Sequence, residues 1–147
     1  MERILVSACL LGVRCRYDGA DNLTPEVVGQ AAVRCLIPVC PEVLGGLPTP
    51  RPRAEVVGGD GVDVLAGRAR VVTCEGRDVT DAFLRGAREV LRVARVLGAR
   101  EAWLKGRSPS CGVSRIHDGS FSRRTRPGPG VTAALLAREG VRLREFS

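Results

Sequence analysis

Apolar and polar positions along the chain follow two periods. Ile4-Leu5-Val6 is a continuous apolar run, and the pattern predicts a buried strand over Arg3–Ala8. A turn-rich loop from Cys9 to Asn22 follows. Thr24-Pro25-Glu26 reads as a helix start, with Pro at the first helical position, and the helix is expected to run to about Arg34. Leu36–Val39 is a second short apolar strand. From Pro41 to Gly61, breakers are dense enough to predict a packed loop in place of regular structure.

Arg70–Thr73 reads as a strand, and Val62–Leu65 is its expected hairpin partner. The longest periodic segment is Thr80–Leu97, capped by Asp78 or Thr80. Phe83, Ala87, Val90, Leu91, Ala94 and Leu97 form its inner face, and Arg85, Arg88, Arg92 and Arg95 its outer one. Gly98 ends it. Ala102–Leu104 is the next strand, followed by a polar loop, Lys105–Ser114. Val131–Arg138 is the last helix, entered through Pro127-Gly128-Pro129-Gly130 and closed by Gly140. Val141–Leu143 is a terminal strand. Strands alternating with helices predict an α/β fold. The expectation is a single domain over residues 1–147, with a mainly parallel central sheet flanked by helices and a long Pro/Gly-rich loop.

Composition supports a globular chain. The 147 residues are 44% hydrophobic and 27% charged, which suits a packed core and excludes a disordered chain. No apolar run approaches the ~18 residues of a membrane span. The N-terminus enters a strand directly, without the apolar core of a secretory signal, so a soluble, cytoplasmic protein is expected. The net charge of +7 is compatible with nucleic acid or a phosphorylated ligand. Aromatic residues are only 3%, which argues against a stacking platform for single strands.

Six cysteines carry the candidate chemistry: Cys9, Cys15, Cys35, Cys40, Cys74 and Cys111. No pair has CxxC spacing, and His117 is the only histidine, so a zinc ribbon has little support. Three of the six sit in equivalent places. Cys9 follows the first strand, Cys40 follows Leu36–Val39, and Cys111 lies in the loop after Ala102–Leu104. In an open α/β sheet, ligands bind beyond the carboxyl ends of the strands. Three thiols delivered there form a soft-metal site, and on a [4Fe–4S] cluster they leave one iron open. The competing reading is that each thiol is a small buried hydrophobe.

Several blocks resemble a bacterial family of small proteins typified by thiouracil desulfidase. They are Ser7-Ala8-Cys9-Leu10-Leu11-Gly12, Cys15-Arg16-Tyr17-Asp18-Gly19, Pro38-Val39-Cys40-Pro41-Glu42, Leu44–Arg51 and Ser108-Pro109-Ser110-Cys111-Gly112. Gly61-Val62-Asp63-Val64 and Gly130-Val131-Thr132-Ala133 also match, so the resemblance runs from Ile4 to about Phe146. It implies a [4Fe–4S] cluster with one open iron, held by Cys9, Cys40 and Cys111. Cys15 is the alternative ligand, or a thiol acting beside the cluster. The implied reaction is non-redox desulfuration of a thiolated pyrimidine such as 2-thiouracil, giving uracil and hydrogen sulfide. Thiolated bases of tRNA are the alternative substrate. A non-enzymatic module that binds zinc or nucleic acid is the rival from another class.

On this reading Glu42 is the candidate base and Ser108 a second catalytic group. Ser110 hydrogen-bonds the substrate, Tyr17 and Asp18 orient it, and Arg107 stabilises developing negative charge. Each has a plainer reading: Glu42 caps a turn, Ser108 and Ser110 belong to an ordinary Ser-Pro-Ser turn, and Asp18-Gly19 is a standard turn pair. Cys35 and Cys74 lie outside the matching blocks and read as structural. His117, beside Asp118-Gly119, reads as a surface turn residue.

Overall fold

The computed structural model describes all of residues 1–147. In chain order its elements are β1 (Arg3–Ser7), α1 (Pro25–Gly29), β2 (Cys35–Val39), α2 (Pro41–Leu44), β3 (Ala54–Val57), α3 (Gly61–Leu65), β4 (Arg70–Thr73), α4 (Thr80–Leu97), β5 (Glu101–Lys105), β6 (Arg115–His117), β7 (Thr125–Pro127), α5 (Val131–Arg138) and β8 (Arg142–Phe146). Single 3-10 turns follow β1, at Ala8–Leu11, and α1, at Gln30–Ala32.

Four strands make the central sheet in the order β2-β1-β5-β8, and every pairing is parallel. The expected α/β architecture is therefore present. Ile4, Leu5 and Val6 have no solvent exposure, because β1 is an inner strand covered on both faces. Alternation sorts its side chains. Leu5, with Ala102 and Leu104 of β5, packs under α4 and α5. Ile4, Val6 and Trp103 face the other way, against Leu10, Val27 of α1 and Phe146. Pro38 is tolerated because β2 is an edge strand with one side unpaired.

The chain steps from β1 out to β2, returns to β5 on the opposite side, and continues out to β8. Strand order thus reverses between β1 and β5. The crevice beyond their carboxyl ends is the point where this topology places a ligand.

The expected partner of β4 is corrected. Val62–Leu65 belongs to helix α3, and β4 pairs antiparallel with β3, from Ala54↔Thr73 to Val57↔Arg70. Capping decides it. Asp60 Oδ1 accepts from the amides of Val62 and Asp63 at 2.9 and 3.2 Å, and Asp63 Oδ2 accepts from the Asp60 amide at 2.9 Å. This reciprocal box starts a helix where apolar residues alone suggested a strand. The Pro/Gly-rich stretch consequently holds both β3 and the short helix α2, whose Pro41 sits in the first turn.

Three smaller differences follow from local chemistry. The β6–β7 hairpin was not anticipated, because each strand is only three residues long. Leu97 is 37% exposed at the end of α4 and does not join its inner face. The capping alternatives for α4 divide: Asp78 Oδ1 accepts from the Thr80 amide, while Thr80 Oγ1 accepts from the Val71 amide and ties the helix to β4.

Helices α2 and α4 cross in near backbone contact. A Cβ on Gly45 would meet the Ala82 carbonyl, and one on Gly86 would meet the Pro41 carbonyl. Both glycines are required by this approach, which fixes α2 at the carboxyl end of β2. We predict that Gly86→Ala lowers stability by about 1–3 kcal/mol, the usual range for overpacking. Chemical denaturation measures it, and an unchanged midpoint would show that the crossing relaxes freely.

Candidate metal centre and cleft

A cleft of about 1270 Å³ opens at the carboxyl edge of the sheet, and Cys9, Cys15, Cys40 and Cys111 all line it. All four are free thiols. Each is delivered by the backbone just after a strand or in the adjoining loop. Cys9 lies in the 3-10 turn after β1, Cys40 joins β2 to α2, and Cys111 lies in the turn after β5. Cys15 comes from the loop between β1 and α1.

The four sulfurs sense one another. Burial pushes the Cys9 thiol up, with charge on Cys40 adding to the effect, while the Asn22 amide, 3.4 Å from Cys9 Sγ, opposes it. Burial pushes Cys111 well above the ordinary thiol range, and charge on Glu42, Cys9 and Cys40 pushes the same way. Cys40 Sγ donates to the Cys15 carbonyl at 3.8 Å, which sets the two side chains next to one another. Their mutual interaction draws Cys40 down to about 7 and raises Cys15, so Cys40 is the thiol that ionises first. Cys9, Cys40 and Cys111 thus all follow neighbouring strands of the sheet and face one cleft, with Cys15 beside them.

No three Cys, His, Asp or Glu side chains come close enough to enclose a single metal ion. A cubane cluster makes a different demand, since each cysteine binds a different iron and the thiols stand further apart. Soft, buried thiols around one cleft fit that donor set.

Glu42 reaches the same cleft from the first turn of α2. Its Oε2 accepts from Arg51 Nη2 at 2.8 Å, and the two side chains are only 17% and 6% exposed. Burial nevertheless holds the Glu42 carboxyl above the usual carboxylate range, with Arg51 opposing. Arg51 also donates to the Cys15 carbonyl at 2.9 Å, so one guanidinium fastens both the acid and the Cys15 loop. Sequence reasoning placed Arg51 in a matching block without giving it a role; its burial is what reveals one.

Ser108 lines the cleft, and its Oγ accepts from the amides of Ser110 and Cys111 at 3.1 and 3.0 Å. It therefore holds the Cys111 turn, while its own proton is free to be donated. Arg107 precedes it in left-handed backbone, φ 67°, and also lines the cleft. Tyr17 stands at the cleft edge under the Arg16 guanidinium.

Two expected residues stand apart from this group. Ser110 has no exposure, and its hydroxyl is bonded to Thr132 Oγ1 at 2.7 Å. Asp18 closes a turn on the Ala20 amide and pairs with Arg16 at 3.0 Å. Neither lines the cleft. Lys105 does, and sequence reasoning missed it. Burial lowers its half-buried ammonium, and charge on Cys9 opposes that shift.

A parallel α/β sheet whose strand ends gather thiols and a buried acid around one cleft is the architecture of an enzyme with a soft-metal or thiol centre. The 2-thiouracil desulfurase family model matches residues 4–145, and the chain belongs to that family of enzymes. It is 44% identical over 140 residues to an uncharacterized protein of Bacillus subtilis (strain 168), YbbK, covering 95% of this chain and 93% of that one. It also resembles the solved structure of a [4Fe–4S]-dependent thiouracil desulfidase, TudS. The TM-score is 0.83 at 42% identity, over 99% of this chain and 91% of the other. No helix is long and apolar enough to cross a membrane.

The buried Glu42–Arg51 pair generates a prediction. Arg51→Met leaves a buried carboxylate without its cation and is expected to cost about 3–5 kcal/mol. Adding Glu42→Gln should restore part of that loss, because the stranded charge is gone. Denaturation of the two single variants and the double variant gives the coupling. Additive losses would mean that the pair is not coupled.

Proposed function

We propose that this protein is a [4Fe–4S]-dependent desulfidase that hydrolyses a thiolated pyrimidine such as 2-thiouracil. Cys9, Cys40 and Cys111 are the ligands, and one iron stays free of protein. The observation that carries the reading is the delivery of three thiols by the loops that follow three adjacent parallel strands, around one cleft. The name of the solved relative supports the cofactor. Cys15, whose carbonyl accepts from Cys40 Sγ, is the neighbouring thiol, outside the ligand set.

The reaction exchanges sulfur for oxygen: thiocarbonyl and water give carbonyl and hydrogen sulfide, and no electrons are transferred. A bound cluster with an open iron supplies a soft Lewis acid for the thiocarbonyl sulfur. The chain supplies the rest. Glu42, held by Arg51 through Oε2, has a second oxygen with no protein partner, and it accepts a proton from the attacking water. A carboxyl kept above its usual range by burial is suited to that role near neutrality. Ser108 donates its free proton towards charge that develops at the reacting carbon's substituents. Arg107 and Lys105 give the same region a positive potential.

Two predictions follow. Anaerobically purified protein should be brown, with about four iron and four acid-labile sulfide per chain. Cys9→Ala, Cys40→Ala and Cys111→Ala should each lose the colour, whereas Cys15→Ala keeps it. Full clusters in the first three would overturn the ligand set. In the second, Glu42→Gln keeps the cluster but releases hydrogen sulfide from 2-thiouracil at least about a hundredfold more slowly. Wild-type turnover in that variant would remove Glu42 as the base.

A further inference from the structure

The same cleft is also lined by residues of β3 and β6, and two buried polar atoms there have no partner. Glu55 lies in β3 and is 2% exposed. Its Oε1 accepts from the Gly119 amide at 2.9 Å and the Phe121 amide at 3.1 Å. Its Oε2 is buried and accepts nothing. His117 lies in β6, and its Nδ1 is also buried without a partner. Both residues line the cleft.

The two oxygens of Glu55 divide its work. One clamps the loop of the β6–β7 hairpin against β3, which explains why a carboxylate stands in an otherwise apolar strand between Ala54 and Val56. The clamp does not need the second oxygen. A carboxyl oxygen left bare in a buried position loses its hydration and gains no partner in return. The cost disappears when a donor from an occupant of the cleft reaches it. Acceptor-only chemistry defines that occupant: it presents an N–H or O–H. His117 Nδ1, the other unpartnered buried atom in the cleft wall, supplies a second polar contact, as donor or acceptor according to its tautomer.

We propose that Glu55 Oε2, with His117 Nδ1, is a substrate-anchoring subsite that accepts a hydrogen bond from a neutral donor of the substrate. The inference rests on the desulfidase reading for the identity of that substrate. The donor has two sources, a ring N–H of the pyrimidine or a hydroxyl of an attached sugar. Neither Glu55 nor His117 belongs to the thiol centre or to the group around Glu42, so the subsite acts on binding and not on bond breaking.

Glu55→Gln is the discriminating variant. The amide oxygen keeps the clamp on Gly119 and Phe121, while its NH₂ group replaces an acceptor by a donor at the free position. The cluster-loaded wild type and variant are titrated with uracil and with uridine by calorimetry, and the same proteins are assayed for sulfide release. The expected result is about tenfold or greater weakening of binding, a matching rise in KM and little change in kcat, with cluster absorbance and thermal midpoint unchanged. His117→Phe should weaken binding in the same direction. A loss shared by both ligands assigns the donor to the ring, and a loss confined to uridine assigns it to the sugar. Equal affinity of wild type and Glu55→Gln for both ligands overturns the subsite, as does a wild type that binds neither. Altered thermal stability with unaltered affinity also overturns it, leaving only the clamp. Binding without sulfide release would instead sink the desulfidase reading and leave the subsite standing.

Discussion

Burial of β1 on both faces is the constraint on which the rest of the molecule depends. Ile4, Leu5 and Val6 are sealed between α1 on one side and α4 and α5 on the other. A strand enclosed in this way cannot slip in register without drawing the exposed Arg3 into the core and breaking the bond between the buried Ser7 hydroxyl and the Lys105 amide. Because β2 and β5 pair with it in parallel, all three strands must end at the same edge. The positions of Cys9, Cys40 and Cys111 are consequences of that registry. A core requirement, the covering of three apolar side chains, therefore sets where the three thiols are delivered.

That link explains why so much was legible. Ile4-Leu5-Val6, Leu36–Val39 and Ala102–Leu104 are short apolar runs, and a thiol follows each within one loop. Placing three thiols at one sheet edge required only strand order and direction. What escaped was chemistry that depends on a single polar contact. Val62–Leu65 has the apolar content of a strand, and only the Asp60–Asp63 box makes it a helix. Ala54–Val57 lay hidden among breakers because its pairing with β4 is long-range and leaves no local period. Ser110 and Asp18 had residue types fit for a site, but Thr132 and Arg16 claim them. Arg51 and Glu55 declare themselves through burial, which the order of residues does not reveal.

The polar groups of the cleft are arranged by the same economy. Asn22 is bonded to Cys9 through both backbone and side chain, and Ser108 holds the amide of Cys111, so two of the three strand-end thiols are steadied by a neighbour that also shapes the loop. Cys40 is steadied differently. It sits before the first turn of α2, whose Val43 amide favours its ionised form, and α2 in turn is pinned to α4 by the Gly45–Gly86 crossing. The acid Glu42 rides on that same helix, so its place relative to Cys40 is set by backbone packing and needs no long side chain to hold it.

Opposing electrostatic demands then meet at one point. Burial favours neutral Cys9 and Cys111, while coordination to a soft cation needs thiolates. A neutral thiol in an apolar wall is stable without a metal, and a thiolate there is stable only with one. The surroundings supply partial compensation in advance. Lys105 and Arg107 bring positive charge to the thiol edge, and Arg51 cancels the nearby carboxylate. The cations favour ionised thiols at this edge. This also accounts for a basic group as costly as a half-buried lysine at the end of β5. Its desolvation is opposed by charge on Cys9, so Lys105 and an ionised Cys9 stabilise one another.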